Sequence, residues 1–200
     1  MEHRLEQQIR FIVEIDRLKT VLRQSYLVDS SRRENSAEHS WHVSLMALVL
    51  AEHSAEPVDR SHVMELLLVH DLVEIDADDT FAYDDAGNAT KEAREKAAAE
   101  RIFGLLPVDD AMRLHALWDE YEAGETPEAR FALSLDRLMP MIHNAMTAGR
   151  AWQANGVTAN RVRQRTESIR RGAPRLADYA LALVESSVRA GHLPEGPEQA

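Results

Sequence analysis

The stretch LLLVHDLVEI, residues 66–75, has the composition of a buried helix but carries three ionisable side chains, His70, Asp71 and Glu74. On a regular helix Glu74 shares the face of His70, whereas Asp71 is turned about 100° away from it. Charged side chains are almost never fully buried unless they are paired or bind a metal, because water solvates them so well. The stretch therefore predicts that another group compensates these charges.

Apolar residues recur at three- and four-residue spacings through most of the chain, and alternating runs typical of strands are scarce. Together with capping residues and prolines, this spacing predicts a series of helices. In chain order they cover residues 5–23, 36–53 with Ser36 as N-cap, 59 through 75, 91–103, from 107, 126–148, from 158 and from 174. With no internal repeat and no clear linker, we expect one all-α domain over residues 1–190 and a loose tail over 191–200.

Length and composition place the chain among ordinary globular proteins. It has 200 residues, of which 44% are hydrophobic and 28% charged. The longest apolar run, residues 45–51, is far shorter than the roughly 20 residues of a membrane span, so we expect no membrane partner. The N-terminal MEHRLEQQIR lacks the apolar segment of a secretory signal, which favours a cytoplasmic location.

The formal net charge of −11 argues against nucleic-acid binding, which relies on a basic surface. RVRQR, residues 161–165, is a basic cluster that we interpret as a solvated helix surface. An anionic substrate would therefore require positive charge supplied locally by its own site.

A second apolar stretch, FALSLDRLMPMIH at residues 131–143, embeds Asp136. Pro140 has no N–H for the carbonyl of Asp136, so we expect a kink in this helix. The alternative to a functional role is that Asp136 pairs with Arg137 or another surface cation.

A third stretch, RRENSAEHSWHV at residues 32–43, places His39 in the first turn of a helix and His42 one turn later. His39 is the better candidate for a ligand. His42 suits an outer-shell or purely structural role.

The set His39, His70, Asp71 and Asp136 offers two imidazoles and two carboxylates from three helices. Because the chain has no Cys, this donor set suits one divalent ion such as Mn, Fe, Co, Ni or Zn, with positions left for water and substrate. Such an ion lowers the pKa of bound water and supplies a nucleophile near neutral pH. The alternative for His70 alone is a satisfied core histidine.

At these residues the chain resembles the HD-domain metal-dependent phosphohydrolases, in the branch of the bacterial 5'-deoxynucleotidases and their eukaryotic relatives. The matching fragments occur in the expected order over about two thirds of the chain. They are LKTVLR (18–23), RRENSAEH (32–39), HDLVE (70–74), the Asp79 region and DRLMP (136–140).

The resemblance implies an all-α HD-domain helical bundle with a metal site between helices, and a homodimer. It assigns the four residues named above as metal ligands. It also implies that Glu74 and Asp79 handle the attacking water and the leaving-group proton, and that Arg23 binds the substrate phosphate. The alternative for Asp79 is a solvated acid in the DADD loop, which lacks the glycine and the terminal glutamate of a calcium loop.

We therefore expect a metal-dependent phosphomonoesterase that hydrolyses (deoxy)nucleoside 5'-monophosphates to nucleoside and phosphate. An alarmone, a cyclic nucleotide or a non-nucleotide phosphate is an alternative substrate, and a non-catalytic metal- and nucleotide-binding protein is an alternative function. Some members of the branch place an aromatic residue directly after the arginine, where it excludes a ribose 2'-hydroxyl. Here Gln24 follows, which leaves the sugar preference open.

Overall fold

Helices dominate the structure, which confirms the predicted all-α class. The computed structural model describes residues 2–196, without the side chain of Glu2. In chain order the helices are α1 Glu2–Ile15, α2 Ser36–Leu50, α3 Arg60–Val69, α4 Glu74–Ala77, α5 Asp85–Phe103, α6 Val108–Ala123, α7 Pro127–Met146, α8 Arg150–Ala154, α9 Ala159–Arg170 and α10 Pro174–Arg189. A two-stranded antiparallel sheet, β1 Leu22–Tyr26 and β2 Arg33–Asn35, completes the fold.

Helix α7 lies at the centre of the bundle and packs against α2, α3, α6, α9 and α10. Its inner face buries Phe131, Leu135 and Leu138. Thr126 caps it by accepting a hydrogen bond from the Ala129 N–H, as the sequence predicts, and the helix continues through the position of the expected kink to Met146. A central helix of this kind holds Asp136 inside the protein.

The first helix is shorter than predicted. It ends at Ile15, a 3₁₀ turn covers Asp16–Thr20, and the chain then enters β1. Leu18 is buried, but Leu22 is exposed and pairs with the second strand instead of continuing the helical stripe. Arg23 therefore projects from a strand, because pairing with a distant segment outweighs the local helical spacing.

The third helix ends at Val69, so the segment with His70 and Asp71 is a turn and not the interior of a helix. Here the hydrogen bonds tighten to a three-residue spacing, from the Leu72 N–H to the Val69 carbonyl and from the Glu74 N–H to the Asp71 carbonyl. On a regular helix neighbouring side chains diverge by about 100°. The turn instead brings the side chains of the consecutive residues His70 and Asp71 to within 3.0 Å of each other.

The N-terminus of α2 is capped one residue earlier than predicted. Asn35 Oδ1 accepts a hydrogen bond from the Glu38 N–H at 2.9 Å, and the Glu38 carboxylate accepts one from the Asn35 N–H at 3.3 Å. This reciprocal capping box satisfies two N–H groups at the helix start. Ser36 is consequently not the cap, and its hydroxyl is available to the site described below.

Several other boundaries differ from the sequence prediction. Helix α2 ends at Leu50 before a 3₁₀ turn, α5 begins at Asp85 behind an Asp84 cap, and the short α8 was not predicted. The tail expected from residue 191 is anchored as far as 196, since Leu193 is buried and the Pro194 carbonyl accepts a hydrogen bond from the Ala159 N–H. Residues 197–200 of that predicted tail lie outside the described residues.

Among the described residues, the helices are all too short or too polar to cross a lipid bilayer.

Candidate metal centre and active site

Three of the four predicted metal ligands meet between α2, the turn after α3, and α7. His39 Nε2 lies 3.0 Å from Asp136 Oδ1, and His70 Nε2 lies 3.9 Å from the same oxygen. One donor atom from each of the three residues lies within 4.8 Å of the others. Ligands bound at about 2.0–2.2 Å to one ion sit roughly 3 to 4 Å apart, so this spacing fits a shared cation.

Asp71, the fourth predicted ligand, lies beside this set but outside it. Its Oδ1 is 3.0 Å from His70 Nε2, and its Oδ2 accepts a hydrogen bond from Arg23 Nη1 at 2.9 Å. Asp71 thus lies next to the predicted ligand His70 and forms an ion pair with Arg23.

The two histidine rings are oriented by their second nitrogens. His70 Nδ1–H donates to the Leu67 carbonyl at 2.8 Å, so in the neutral ring Nε2 presents a lone pair to Asp71 Oδ1. Two acceptors at that distance repel unless a proton or a metal cation lies between them, and Nε2 is buried with no hydrogen-bond partner among the described residues. His39 Nδ1 lies 3.5 Å from Glu34 Oε2, the carboxylate–histidine arrangement that commonly supports a metal ligand. The donor set and its orientation therefore fit a divalent cation.

Arg23 is the cation that faces the acidic groups of this site. Its guanidinium nitrogens lie within 4.0 Å of five carboxylates, and its side chain is only 11% exposed. These carboxylates belong to Glu34, Asp71, Glu74, Asp79 and Asp136. One positive charge thus faces up to five negative ones, which leaves a strong local demand for further cations.

The electrostatics of the ligands follow from these contacts. Burial acts to raise the pKa of Asp71, but the charges of His70 and Arg23 outweigh it and lower that pKa to about 2. Burial and the Arg23 charge act to lower the pKa of His39, yet the hydrogen bond with Asp136 and the nearby Glu34 carboxylate raise it to about 9. Burial acts to raise the pKa of Asp136 as well, but its hydrogen bond with His39 lowers that pKa well below the ordinary value, so both aspartates are ionised at neutral pH. His39 must lose its proton before Nε2 can bind a metal.

Glu74 and Asp79, which the resemblance assigns to proton transfer, have raised pKa values, whereas the pKa of Asp71 is lowered. Burial, followed by the charge of Asp71, raises the pKa of Glu74 well above its ordinary value, and Ser36 Oγ donates a 2.6 Å hydrogen bond to its Oε2. Burial also raises the pKa of Asp79, which lies 3.4 Å from Arg23 Nη1. Carboxyl groups with raised pKa values beside ionised ones are typical of acid–base pairs in active sites.

Backbone strain adjoins Asp79. The preceding Asp78 has φ +59° and ψ 156°, a conformation that is essentially restricted to glycine. The side chain of Asp78 is exposed and makes no contact with the described residues that accounts for the strain, whereas Asp79 lines the cavity of the site. The strained residue therefore turns the chain so that its neighbour faces inward.

A second cluster lies behind His39 and was not predicted. Glu34, His42 and His143 place one donor atom each within 4.8 Å of one another, and Glu34 Oε2 is 3.7 Å from His143 Nδ1. His42, interpreted from sequence as an outer-shell or structural residue, belongs to this cluster. Glu34 also lies 3.5 Å from the predicted ligand His39, so the cluster is an outer layer of the same site.

A cavity of about 260 Å³ is lined by three of the four predicted metal ligands, His70, Asp71 and Asp136, but not by His39. Arg23, Glu74 and Asp79 also line this cavity, together with Gln24 and Ser25.

Sequence reasoning missed several residues in the rest of the cavity wall: Tyr83, Tyr121, Arg137, Trp152 and Arg165. The Tyr121 hydroxyl donates to Asp136 Oδ2 at 3.1 Å. The alternative pairing of Asp136 with Arg137 is not found among the described contacts of either residue. No local pattern marks these five side chains, because they come from different segments that meet only in the fold.

Comparison with known proteins agrees with this geometry. Residues 15–177 match the family described as HD domain. The chain is 34% identical to the 5'-deoxynucleotidase HDDC2 of Danio rerio over 141 residues, which cover 69% of this chain and 68% of that protein. It is 29% identical to the human 5'-deoxynucleotidase HDDC2, over 68% of this chain and 65% of that protein. The match thus spans about two thirds of the length of these relatives.

Among solved structures, the chain is similar to a crystal structure from Magnetospirillum magnetotacticum MS-1 described as a predicted metal-dependent phosphohydrolase. The TM-score is 0.91 and the identity 54%, with 96% of both chains covered.

Proposed function

Since this chain belongs to the HD-domain family, we propose that it is a metal-dependent phosphohydrolase that converts (deoxy)nucleoside 5'-monophosphates to nucleoside and phosphate. The observation that carries the proposal is the meeting of His39, His70 and Asp136 beside a carboxyl group, Glu74, whose pKa is raised. The names of the curated relatives support a nucleotide substrate.

The metal would be held by His39, His70, Asp71 and Asp136, as one divalent ion of the Mn, Co, Fe, Ni or Zn type. When bound, such an ion polarises phosphate and activates water. A divalent ion also supplies the positive charge that the ring of carboxylates around Arg23 requires.

The chain's own residues would perform the remaining steps. Arg23 has a planar fork of donors that matches phosphate oxygens, and it lies in the cavity wall. Glu74 takes a proton from the attacking water, whose oxygen forms the new bond to phosphorus. As the ester bond breaks, Asp79 gives its proton to the departing 5'-oxygen. The raised pKa values of both carboxyl groups support these roles.

The test is phosphate release from a panel of nucleotides by protein loaded with Mn or Co. We expect turnover by the wild type and none by Asp71→Ala. Asp76→Ala is the matched control, because Asp76 lies in the same segment but pairs with Arg101 at the surface. Turnover by a metal-stripped sample, or full activity of Asp71→Ala, would contradict the proposal. Paired ribo- and deoxyribonucleotides test the sugar preference beside Gln24.

We also propose a homodimer. Helix α2 exposes Trp41, Leu45, Leu48 and Val49, which recur at helical spacing, and Trp41 is 60% exposed. This apolar stripe supports an interface on α2. Light scattering of wild type and Trp41→Glu tests it, and a monomeric wild type contradicts it. The cytoplasmic location and the absence of nucleic-acid and membrane partners stay predictions.

A further inference from the structure

Two arginines of the cavity wall have no carboxylate partner among the residues that the structure describes. The wall contains Arg23, Lys91, Arg137 and Arg165. Arg23 Nη1 lies 2.9 Å from a carboxylate oxygen, and Lys91 Nζ lies 3.4 Å from another. In the part of the chain that the structure describes, neither Arg137 nor Arg165 has a carboxylate oxygen within 4.0 Å. In a chain with net charge −11, two unpaired cations in one cavity require an explanation.

The contrast is clearest within α9. Arg161 pairs with Asp85 at 2.8 Å, and Arg163 pairs with Glu185 at 2.7 Å, both at the surface. Arg165 follows in the same basic cluster but lines the cavity instead. The interpretation of the whole cluster as a solvated surface is therefore wrong for Arg165.

The two unpaired arginines line the same cavity from neighbouring helices, α7 and α9. Each residue is half-buried, and the charge of Arg165 acts on Arg137 from the facing helix. It also acts on Tyr83, which lines the same cavity. Like charges held together and partly removed from water cost free energy unless an anion lies between them.

We propose that Arg137 and Arg165 form a second anion-binding subsite, which takes a second phosphate group on the same nucleotide. Two guanidinium forks match a dianionic phosphate in charge and geometry, whereas a carboxylate carries only one charge. The inference rests on the proposed phosphohydrolase function, but it changes the preferred substrate from a nucleoside monophosphate to a nucleotide with two phosphates. The second phosphate is either on the sugar or at the end of a 5'-diphosphate.

The test compares kcat/KM of the Mn-loaded enzyme for adenosine 5'-monophosphate, adenosine 3',5'-bisphosphate and adenosine 5'-diphosphate. We expect one of the two doubly phosphorylated nucleotides to exceed the monophosphate by roughly tenfold or more, as expected for charge-assisted hydrogen bonds. The substrate that does so identifies the position of the second phosphate.

Variants assign the preference to the arginines. The relevant ratio is kcat/KM for the preferred doubly phosphorylated nucleotide divided by kcat/KM for the monophosphate. Arg165→Gln and Arg137→Gln should each lower this ratio by about tenfold. Arg165→Lys should restore part of the ratio, because the positive charge returns. Arg161→Gln is the matched control on the same helix and should keep the wild-type ratio. Equal kcat/KM values for all three nucleotides, or an unchanged ratio in Arg165→Gln, would overturn the subsite.

Calorimetric binding of the same nucleotides to metal-free protein separates this inference from the proposed function. If no nucleotide is hydrolysed, the proposed function fails. The subsite still stands if a doubly phosphorylated nucleotide binds at least tenfold tighter than the monophosphate and Arg165→Gln removes the difference. Equal binding of all three nucleotides would overturn it.

Discussion

Removing the Arg23 guanidinium should destabilise the metal-free protein strongly, and a divalent ion should reverse most of the loss. Arg23 lies among five carboxylates at N···O distances from 2.9 to 4.0 Å and is almost fully buried. Arg23→Gln keeps much of the side-chain volume but leaves those carboxylates without their cation.

The size of the effect follows from these contacts. At an effective dielectric constant of about 20, one ion pair at 4 Å contributes roughly 4 kcal/mol, and repulsion among the carboxylates acts in the same direction once the cation is gone. Protonation of some carboxylates relieves part of the loss, so we expect a net cost of about 3–5 kcal/mol, typical of breaking a buried pair. For a chain of this size that corresponds to a fall in Tm of roughly 6–20 °C.

The assay is thermal and urea unfolding of wild type and Arg23→Gln in EDTA and with saturating Mn²⁺. The difference in the free energy of unfolding between wild type and Arg23→Gln should be smaller with Mn²⁺ than in EDTA, because the ion supplies positive charge to the same carboxylates. This difference should also be smaller at pH 5, where the carboxylates that have lost the Arg23 guanidinium begin to be protonated and repel each other less. Arg101→Gln is the control, since Arg101 makes exposed ion pairs that contribute only about 0–1 kcal/mol.

A cost in Arg23→Gln no larger than in Arg101→Gln would refute the reasoning. A difference in the free energy of unfolding between wild type and Arg23→Gln that stays the same with and without Mn²⁺ would also refute it.

Three further predictions concern individual carboxylates. Glu34→Gln should weaken Mn²⁺ binding about 10–100-fold in a calorimetric titration, because Glu34 supports the His39 ring; unchanged affinity would exclude that role. Asp78→Gly should raise the free energy of unfolding by about 1 kcal/mol in urea, since glycine adopts the observed φ without strain, and a loss of stability would contradict this. The raised pKa of Glu74 means that its contribution to stability is present below pH 4.5 and lost as pH rises through the folded-state pKa. In the absence of metal, Glu74→Gln should therefore be more stable than wild type at pH 8 but not at pH 4. The gain in the free energy of unfolding should be about 1.4 kcal/mol per unit of pKa shift. An equal gain at the two pH values would rule out the Glu74 charge as its cause.

Much of the fold could be predicted because its signals are local. Thr126 and Pro127 start α7, and Asp59 starts α3, where the sequence places them. Apolar spacing gives the helices their buried faces. The family and the all-α class predicted from the ordered motifs are confirmed by the match to the HD domain and by the helical structure.

The misses share one physical cause. The spacing of Leu18 and Leu22 continues a helical stripe, but pairing with β2 converts the second half into a strand and gives Arg23 its direction. Glu34 and Arg165 have ordinary neighbours in sequence, so nothing local separates them from surface charges. Their importance depends on which side chains face them across the bundle.

The sequence by itself determined which metal-binding side chains the site can use: imidazoles and carboxylates, but no thiol. It also determined the helices that carry most of these side chains. Only the tertiary structure decided that His39 and Asp136, 97 residues apart, lie 3.0 Å from each other, and that a turn replaces the helix at His70 and Asp71. Periodicity encodes which face of a segment is buried. The position of one buried face against another is set by packing and charge compensation between distant segments, which no local pattern records.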